Sequence, residues 1–422
     1  MNFWNGKQIV IGLGGGIAAY KTLEVIRRLR EAGARITPVP TQAALRFVTG
    51  LTLQALSGEP TREDLFTPLA PDGMDHIRLA QSADLVIVAP ATADLLARMA
   101  TGQADDLLSA LLLARRGPVL VAPAMNPAMW EHPATRRNVA TLHADGIGFV
   151  GPESGPMACG DQGTGRMAEP TTILEAARRT LTPKILAGRR VVITAGPTRE
   201  ELDPVRFLSN HSSGKMGWAV ALAALRAGAR VDLVHGPVAM PVPWGAVPHA
   251  VGSACEMLDA TLDVWLSAPG NPRCDAAILT AAVADYRPGK RLNDKIKKEN
   301  ALSELHLELT QNPDILAMLS AWTGIRTRDG HQRVIVGFAA ETGDALTRGK
   351  AKRIRKGCDL LAINDVSAPG CGFGADTNAV TLIGRDGREE AWPLLPKEQV
   401  AEKLIQAVAT LVDIHATLKE NT

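Results

Sequence analysis

Three glycines stand together at Gly14-Gly15-Gly16, between a short apolar run, Gln8–Leu13, and a helical pattern from Ala18 to about Glu31. Glycines between a strand and a helix let backbone N–H groups close on a phosphate at the helix N-terminus. As a dinucleotide fingerprint the stretch fails. Its third glycine position holds Ile17, and the second strand, Ile36–Val39, runs into Pro40-Thr41-Gln42 with no acidic partner for a ribose. The phosphate of a flavin mononucleotide suits it better, with Thr41 as a hydroxyl donor. The alternative is a glycine turn that only packs a helix on a sheet.

A second candidate lies at 189–217, RRVVITAGPTREELDPVRFLSNHSSGKMGWA. Its loops are dense in Arg, Asn, Ser and Gly, a composition suited to a polyanion such as a nucleotide triphosphate. Ser212-Ser213-Gly214-Lys215 is like the end of a P-loop, but Ser209 replaces the first Walker glycine and Met216 the Ser or Thr, so it is not a Walker A. Lys290–Asn300, KRLNDKIKKEN, reads as a solvated loop or as a flap over a triphosphate. Asp285 either binds a ribose or base edge or caps the turn after it. Among single groups, His76 has charged neighbours and by itself reads as a surface histidine. Cys159 sits in the glycine-rich segment Gly151–Met167, which shows little regular pattern and is expected to serve as a lid; for the thiol, chemistry and inert packing both stay open.

The elements that must position these residues alternate between strand and helix patterns. Asp84–Ala89 and Val119–Ala122 are apolar runs ending in proline-bearing loops. In an open parallel sheet ligands sit at the carboxyl ends of strands, so Thr92 and Asn126 are expected to point into one crevice. Between them, Asp94–Leu113 reads as a helix interrupted near Thr101-Gly102. A fresh strand–loop–helix start at Val191 implies a second α/β domain. It continues with a helix over Ala219–Ala227, strands at Val231–Val234, Ala276–Thr280, Val334–Gly337 and Leu360–Asn364, a proline-rich loop Gly236–Pro248, and a basic helix Lys350–Lys356. A glycine-bearing loop Phe373–Val380, a last hairpin and an amphipathic helix Lys397–Leu411 close it. The fold class is therefore α/β with two doubly wound domains, a flavodoxin-like or Rossmann-like 1–187 and a Rossmann-like 188–422.

A chain of 422 residues suits two cores, and 46% hydrophobic with 21% charged residues is ordinary globular composition. A net charge of +2 gives no case for nucleic acid or a membrane surface, and two Tyr with seven Phe argue against a base-stacking platform. Five cysteines without a CxxC fit neither a zinc ribbon nor a disulfide framework. With no signal-like start and no apolar run of about 20 residues, the expected compartment is the cytoplasm.

GGGIAAYK (14–21), His76, APATADLLARMATGQADDLL (89–108), PAMN (123–126) and ACGDQGTGRM (158–167) resemble the flavin-dependent 4′-phosphopantothenoylcysteine decarboxylases. AGPTREELDPVRFLSNHSSGKMG (195–217), AAVADYR (281–287), DKIKK (294–298), GFAAET (337–342) and KRIRK (352–356) resemble the phosphopantothenate–cysteine ligases. The order, decarboxylase then ligase, resembles the bacterial fused coenzyme A biosynthesis enzymes over nearly the whole chain. One departure is Gly14-Gly15-Gly16, which carries an extra glycine where such proteins often have Ser or Thr.

The resemblance implies an FMN site at Gly14, Gly15, Gly16, Ile17, Thr41 and Thr92. The substrate thiol is first oxidised to a thioaldehyde, whose C=S accepts the electrons as CO₂ leaves, and a hydride then returns to the enethiolate. His76 would handle the proton in the oxidation, Asn126 would bind the substrate carboxylate, and Cys159 would protonate the enethiolate. In the second domain the resemblance implies CTP with Mg²⁺, an acyl-cytidylate, and attack by the amine of cysteine on activated 4′-phosphopantothenate. Asn210 would hold the intermediate, Arg206 would support its anion, and Lys295 would neutralise charge in the second half-reaction. Leu279, Thr280, Ala281, Asp285, Lys295, Pro313, Asp314, Ile315, Leu316, Phe338, Lys352 and Lys356 would contact the nucleotide. Trimeric packing of the flavin domains and dimeric packing of the ligase domains, hence a dodecamer, are implied as well.

Overall fold

The computed structural model describes residues 2–66, 74–157, 160–266, 274–296, 306–321, 333–341, 345–365, 370–372 and 374–420. Two compact units emerge, Met1–Thr182 and Pro183–Thr422.

The first unit is built on β1 (Gln8–Leu13), β2 (Arg35–Pro40), β3 (Leu85–Ala91), β4 (Val119–Pro123) and β5 (Gly148–Phe149), all parallel in the order β2-β1-β3-β4-β5. Its central strands are apolar on both faces because both are covered, the pattern of a parallel sheet between helices. Ile9, Ile11 and Ile87 pack with Val25, Ile26 and Leu29 of the helix Ala19–Glu31 and Ile173 of the helix Pro170–Leu181. Val10, Val86 and Val88 face Leu79, Leu95 and Leu108 on the other side. The winding reverses between β1 and β3, which opens a crevice at their carboxyl ends.

The helix expected over Asp94–Leu113 with an interruption near Thr101-Gly102 is two helices, Ala93–Thr101 and Leu107–Ala114, broken at the expected place. Gly102, at φ 71°, ends the first, and Asp106 starts the second in a reciprocal capping box with Ser109, worth about 1 kcal/mol. Gly151–Met167, expected to be irregular, carries an antiparallel hairpin, β6 (Glu153–Pro156) with β7 (Gln162–Arg166). Its strands are polar and rich in glycine, so they lack the apolar alternation by which a strand is read from sequence.

The second unit runs through β8 (Arg190–Ala195), β9 (Arg199–Glu201), β10 (Phe207–Ser209), β11 (Arg230–His235), β12 (Val247–Ala250), β13 (Ala276–Leu279), β14 (Tyr286–Pro288), β15 (Leu309–Gln311), β16 (Val334–Glu341), β17 (Leu360–Asp365), β18 (Thr377–Gly384) and β19 (Glu389–Pro396). Its main sheet has the order β12-β11-β8-β13-β16-β17-β18-β19, parallel through β17 and antiparallel in the last two pairings. β9 with β10 and β14 with β15 form small antiparallel ribbons. The helices Lys215–Arg226 and Lys397–Glu420 cover one face, where Val220, Ala224, Leu404 and Val408 meet Val191, Ile193 and Val231. Met257 and Trp265 of Ala254–Leu266, with Leu319 of Ile315–Ala321, cover the other.

The proline-rich loop expected to reach Pro248 gives way at Val247 to β12, an edge strand, where a proline costs no ladder bond. The basic helix is longer than expected, Ala345–Lys356, and β18 begins at Thr377, inside the expected glycine-bearing loop. Among the described residues no helix is long and apolar enough to cross a membrane.

Candidate functional site

In the first unit the crevice at the β1/β3 switch point encloses about 1030 Å³. Gly14, Gly15, Gly16, Ile17, Thr41, Thr92 and Asn126, chosen from sequence as ligand contacts, all line it. The glycine loop is held by close approach. A Cβ on Gly14 would lie 2.6 Å from the Pro90 carbonyl oxygen, and one on Gly15 only 2.3 Å from Ala43 Cβ. Gly16 differs, since its Cβ would meet Thr92 Cγ2 at an ordinary 3.6 Å. The helix behind this loop starts at Ala19 with no side-chain cap and no acidic residue in its first turn, so its positive end opens on the crevice.

Thr41 is buried, and its hydroxyl is engaged: it donates to the Leu13 carbonyl (3.1 Å) and accepts from the Ala44 N–H (3.1 Å). Its place in the site is to fix the β2 loop. Thr92 caps the helix Ala93–Thr101, accepting from Leu95 N–H at 3.3 Å. Asn126 caps the short helix Pro127–Glu131. Its Oδ1 accepts from Ala128 N–H (2.8 Å), which fixes the amide's orientation and turns Nδ2 outward. That Nδ2 donates to the Asp161 carboxylate at 2.5 Å. The β6–β7 hairpin thus lays an acceptor on the amide donor of Asn126. Charged residues of the wall are paired: Lys21 with Glu169 (2.9 Å), and Arg98 with Asp94, Asp105 and Asp106 (3.2, 3.1 and 2.8 Å).

His76 stands on the helix Asp75–Ser82, does not line this crevice, and keeps a buried Nδ1 without a partner. Cys159 lies outside the described residues. Cys274 and Cys358 are buried thiols pushed up to about 12 and about 11 by burial, unsuited to nucleophilic chemistry.

In the second unit two cavities adjoin at the carboxyl ends of β13 and β16. One, about 500 Å³, is lined by Leu279, Ala281, Asp285, Pro313, Asp314, Ile315, Leu316, Phe338, Lys352 and Lys356. The other, about 360 Å³, shares Ala281, Asp285, Phe338 and Lys352 and adds Asn210, Thr280 and the loop 212–217. Apart from Lys295, the sequence candidates scattered from 210 to 356 are therefore gathered around one double cavity. Asn210 Nδ2 donates to the Ala282 carbonyl (2.8 Å). Asp314 caps the helix Ile315–Ala321 through Ala317 N–H (2.9 Å) and pairs with Lys356; Lys352 pairs with Glu341 (3.0 Å). Burial pushes the Lys356 ammonium below its ordinary value, and nearby Asp285 only partly offsets this.

Arg206 and Lys295 line neither cavity. Arg206 donates to the Ile296 carbonyl (2.5 Å) and meets buried Asp203 (3.4 Å), which also accepts from Ile296 N–H (3.2 Å). The described end of the basic segment is thereby clipped to the turn at 203–206, and Lys295 is exposed. Among the described residues no group of three or more His, Cys, Asp or Glu is placed to hold a metal ion.

Asn364, Asn378 and Lys397, which no sequence motif singles out, also line the smaller cavity, beside Lys215 of the P-loop-like stretch. Lys397 left one signal. It stands at the first position of a helix, where a positive charge opposes the macrodipole.

A flavoprotein family model matches residues 4–182, and the model described as DNA/pantothenate metabolism flavoprotein C-terminal domain matches 186–412. The chain is 46% identical over 407 residues to the coenzyme A biosynthesis bifunctional protein CoaBC of Vibrio parahaemolyticus, covering 96% of this chain and 99% of that protein. The same protein of Escherichia coli K12 is 46% identical over 410 residues, covering 97% and 98%. That of Bacillus subtilis is 42% identical over 411 residues, covering 96% and 98%.

Proposed function

Because the chain belongs to the family of coenzyme A biosynthesis bifunctional proteins, we propose that its first unit decarboxylates 4′-phosphopantothenoylcysteine with FMN and its second forms that substrate from 4′-phosphopantothenate and cysteine with CTP. The observation that carries this reading is the convergence of Gly14, Gly15, Gly16, Ile17, Thr41, Thr92 and Asn126 on one crevice.

The crevice fits a flavin phosphate: the glycine loop admits no Cβ at two positions, and an uncapped helix start faces it. Gly14, Gly15, Gly16, Ile17, Thr41 and Thr92 would hold FMN, which would supply reversible two-electron redox chemistry at the substrate thiol. The chain's own residues bind and move protons. Asn126 Nδ2, locked outward by Ala128, binds the substrate carboxylate, and Asp161 yields that donor as substrate enters. A neutral amide holds the carboxylate without a full counter-charge, so loss of CO₂ is not opposed by over-stabilised ground state. His76 lies off its own crevice, so we place it at the crevice of a neighbouring copy, in the trimeric packing the resemblance implies. Cys159, beyond the described residues, keeps its proposed role as donor of the proton to the enethiolate.

In the ligase unit the double cavity takes the nucleotide and the acid. The carboxylate displaces pyrophosphate from CTP to give an acyl-cytidylate, and cysteine's amine then displaces CMP to form the amide. Asn210 would hold the intermediate, and Lys352 and Lys356 would meet the nucleotide, whose phosphate charge Mg²⁺ would help to neutralise. Arg206 supports the anion of the intermediate, and Lys295 neutralises charge in the second half-reaction; Arg206 is bonded to the neighbouring Ile296 carbonyl outside the two cavities. The cytoplasm is the compartment that fits these substrates.

Purified protein incubated with 4′-phosphopantothenate, cysteine, CTP and Mg²⁺ is expected to yield 4′-phosphopantetheine, CMP, pyrophosphate and CO₂, read by mass spectrometry. Accumulation of the cysteine adduct without CO₂ loss removes the decarboxylase half. CO₂ loss only from supplied adduct removes the ligase half.

A further inference from the structure

Lys397 opens the helix Lys397–Glu420 and is only 7% exposed. Three costs meet there: burial of an ammonium, the positive end of a helix, and a second ammonium nearby. Lys397 Nζ donates to the Ala375 carbonyl, and Lys215 Nζ donates to the neighbouring Gly374 carbonyl (3.0 Å) and the Asp376 carboxylate (2.6 Å). The side chain of Asp376 is 87% exposed, so its compensation is screened by water. Burial and Lys215 together push the Lys397 ammonium below its ordinary value.

A second set of observations meets in the same cavity. Gly214, at φ 77°, starts the twelve-residue helix Lys215–Arg226, which has no side-chain cap and no acid in its first turn. Asn378 is 3% exposed and lines the cavity. Its Oδ1 is buried without a partner, and its Nδ2 finds only the weak acceptor Met216 Sδ at 3.6 Å. A half-turn of that amide exchanges an orphaned acceptor for a donor. Two helix N-termini, Lys215, Lys352, Lys397 and an unsatisfied amide thus surround about 360 Å³.

We propose that Lys397 is an anion-positioning residue of the ligase unit, holding with Lys215 and Asn378 a phosphate group of one of its substrates. The proposal rests on the ligase reading above. Two sources of phosphate are available, the triphosphate of CTP and the phosphate monoester of 4′-phosphopantothenate, and the charge requirement is common to both. Lys397 ties that phosphate to the terminal hairpin and final helix, elements remote in sequence from the 212–217 loop.

The test uses the full chain with Lys397→Gln, Lys397→Arg, and as control Lys403→Gln, an exposed residue of the same helix stacked on Trp392. Lys397→Gln is expected to raise KM for CTP or for 4′-phosphopantothenate by about tenfold with kcat within roughly threefold, the signature of lost uniform binding, and Lys397→Arg to recover most of it. Whichever substrate shows the rise is the source of the phosphate. Wild-type KM for both in Lys397→Gln overturns the proposal. Should that variant not fold by circular dichroism, amine acylation of the wild type decides: inorganic pyrophosphate is expected to protect the Lys397 peptide at least about threefold in mass spectrometry, as an occupied site must. Unchanged labelling overturns the proposal. A wild type that ligates nothing removes the ligase reading and leaves the pyrophosphate footprint to judge the phosphate site separately.

Discussion

A single methyl group divides the glycines of the flavin crevice. At Gly15 an added Cβ meets Ala43 Cβ at 2.3 Å, a backbone-anchored neighbour that cannot turn aside; at Gly16 the nearest atom is 3.6 Å away. Overpacking of this kind costs about 1–3 kcal/mol, or about tenfold or more in an equilibrium constant. Gly15→Ala is therefore expected to purify with at least about tenfold less bound flavin. Gly16→Ser, which has room and adds a hydroxyl beside the phosphate loop, is expected to stay within about twofold of wild type. Visible flavin absorbance per protein reads both, and equal retention by the two variants would show that the loop does not hold the cofactor by close approach. Sequence reading chose Gly14, Gly15 and Gly16 as a set because residue type is all it sees. The distance to Ala43, 28 positions from Gly15, ranks them.

At the scale of elements, the edge of the ligase sheet is pinned by a buried charge cluster across three strands. Arg190 on β8 donates to Asp232 on β11 through two nitrogens (2.8 and 3.1 Å), and His249 on β12 contacts the same carboxylate at 3.0 Å. Burial opposes ionisation of Asp232, but the bonds from Arg190 and His249 outweigh it and hold the carboxyl below its ordinary value. A carboxylate with a lowered folded pKa contributes stability that is complete above its unfolded value, about 3.9, and is lost as pH falls through the folded value. Asp232→Asn is thus expected to be less stable than wild type by about 3 kcal/mol at neutral pH, as when one partner of a buried pair is removed. The gap should begin to shrink as pH falls below about 4 and go on shrinking as pH falls through the lower folded value. Urea unfolding of both proteins by circular dichroism from neutral to acid pH checks this, and a gap independent of pH would mean that packing rather than charge is lost. The sequence suggested β8 and β11 but not this pairing. A polar Asp inside VDLV looks like an outward position until the sheet places Arg190 beside it. The hairpin within Gly151–Met167 escapes the sequence pattern for a related reason, since extended glycines in β7 leave no apolar alternation to see.

At the scale of the whole molecule, two units with separate cores imply that each activity survives division of the chain. The position of the cut decides stability. Leu186 is 1% exposed and belongs to the core of Val191, Ile193 and Leu225. A piece starting at Pro183 keeps it; one starting at Gly188 exposes its site. Burying a leucine is worth about 1.5–3 kcal/mol. The 183–422 piece is expected to be more stable than the 188–422 piece by that amount in urea melts, with both competent in ligation, while 1–182 retains flavin. Equal stability of the two pieces would place the working boundary after Leu186.

What the sequence determined by itself is what short-range pattern encodes: alternation of apolar strands with helices, a fresh strand–loop–helix start at Val191, and loops such as Gly14-Gly15-Gly16 and Ser212-Ser213-Gly214-Lys215 at strand-to-helix junctions. Strand ends of a parallel sheet face one way, so Thr92 and Asn126 could be assigned to one crevice from strand order alone. Tertiary structure decided what depends on distance between remote segments. It put Asp161 on the Asn126 amide, spent the Thr41 hydroxyl on Leu13, left His76 off its own crevice, and gathered Lys215, Asn378 and Lys397 from three elements around one cavity. Burial and charge proximity set the chemistry of such groups, and neither exists until the chain has folded.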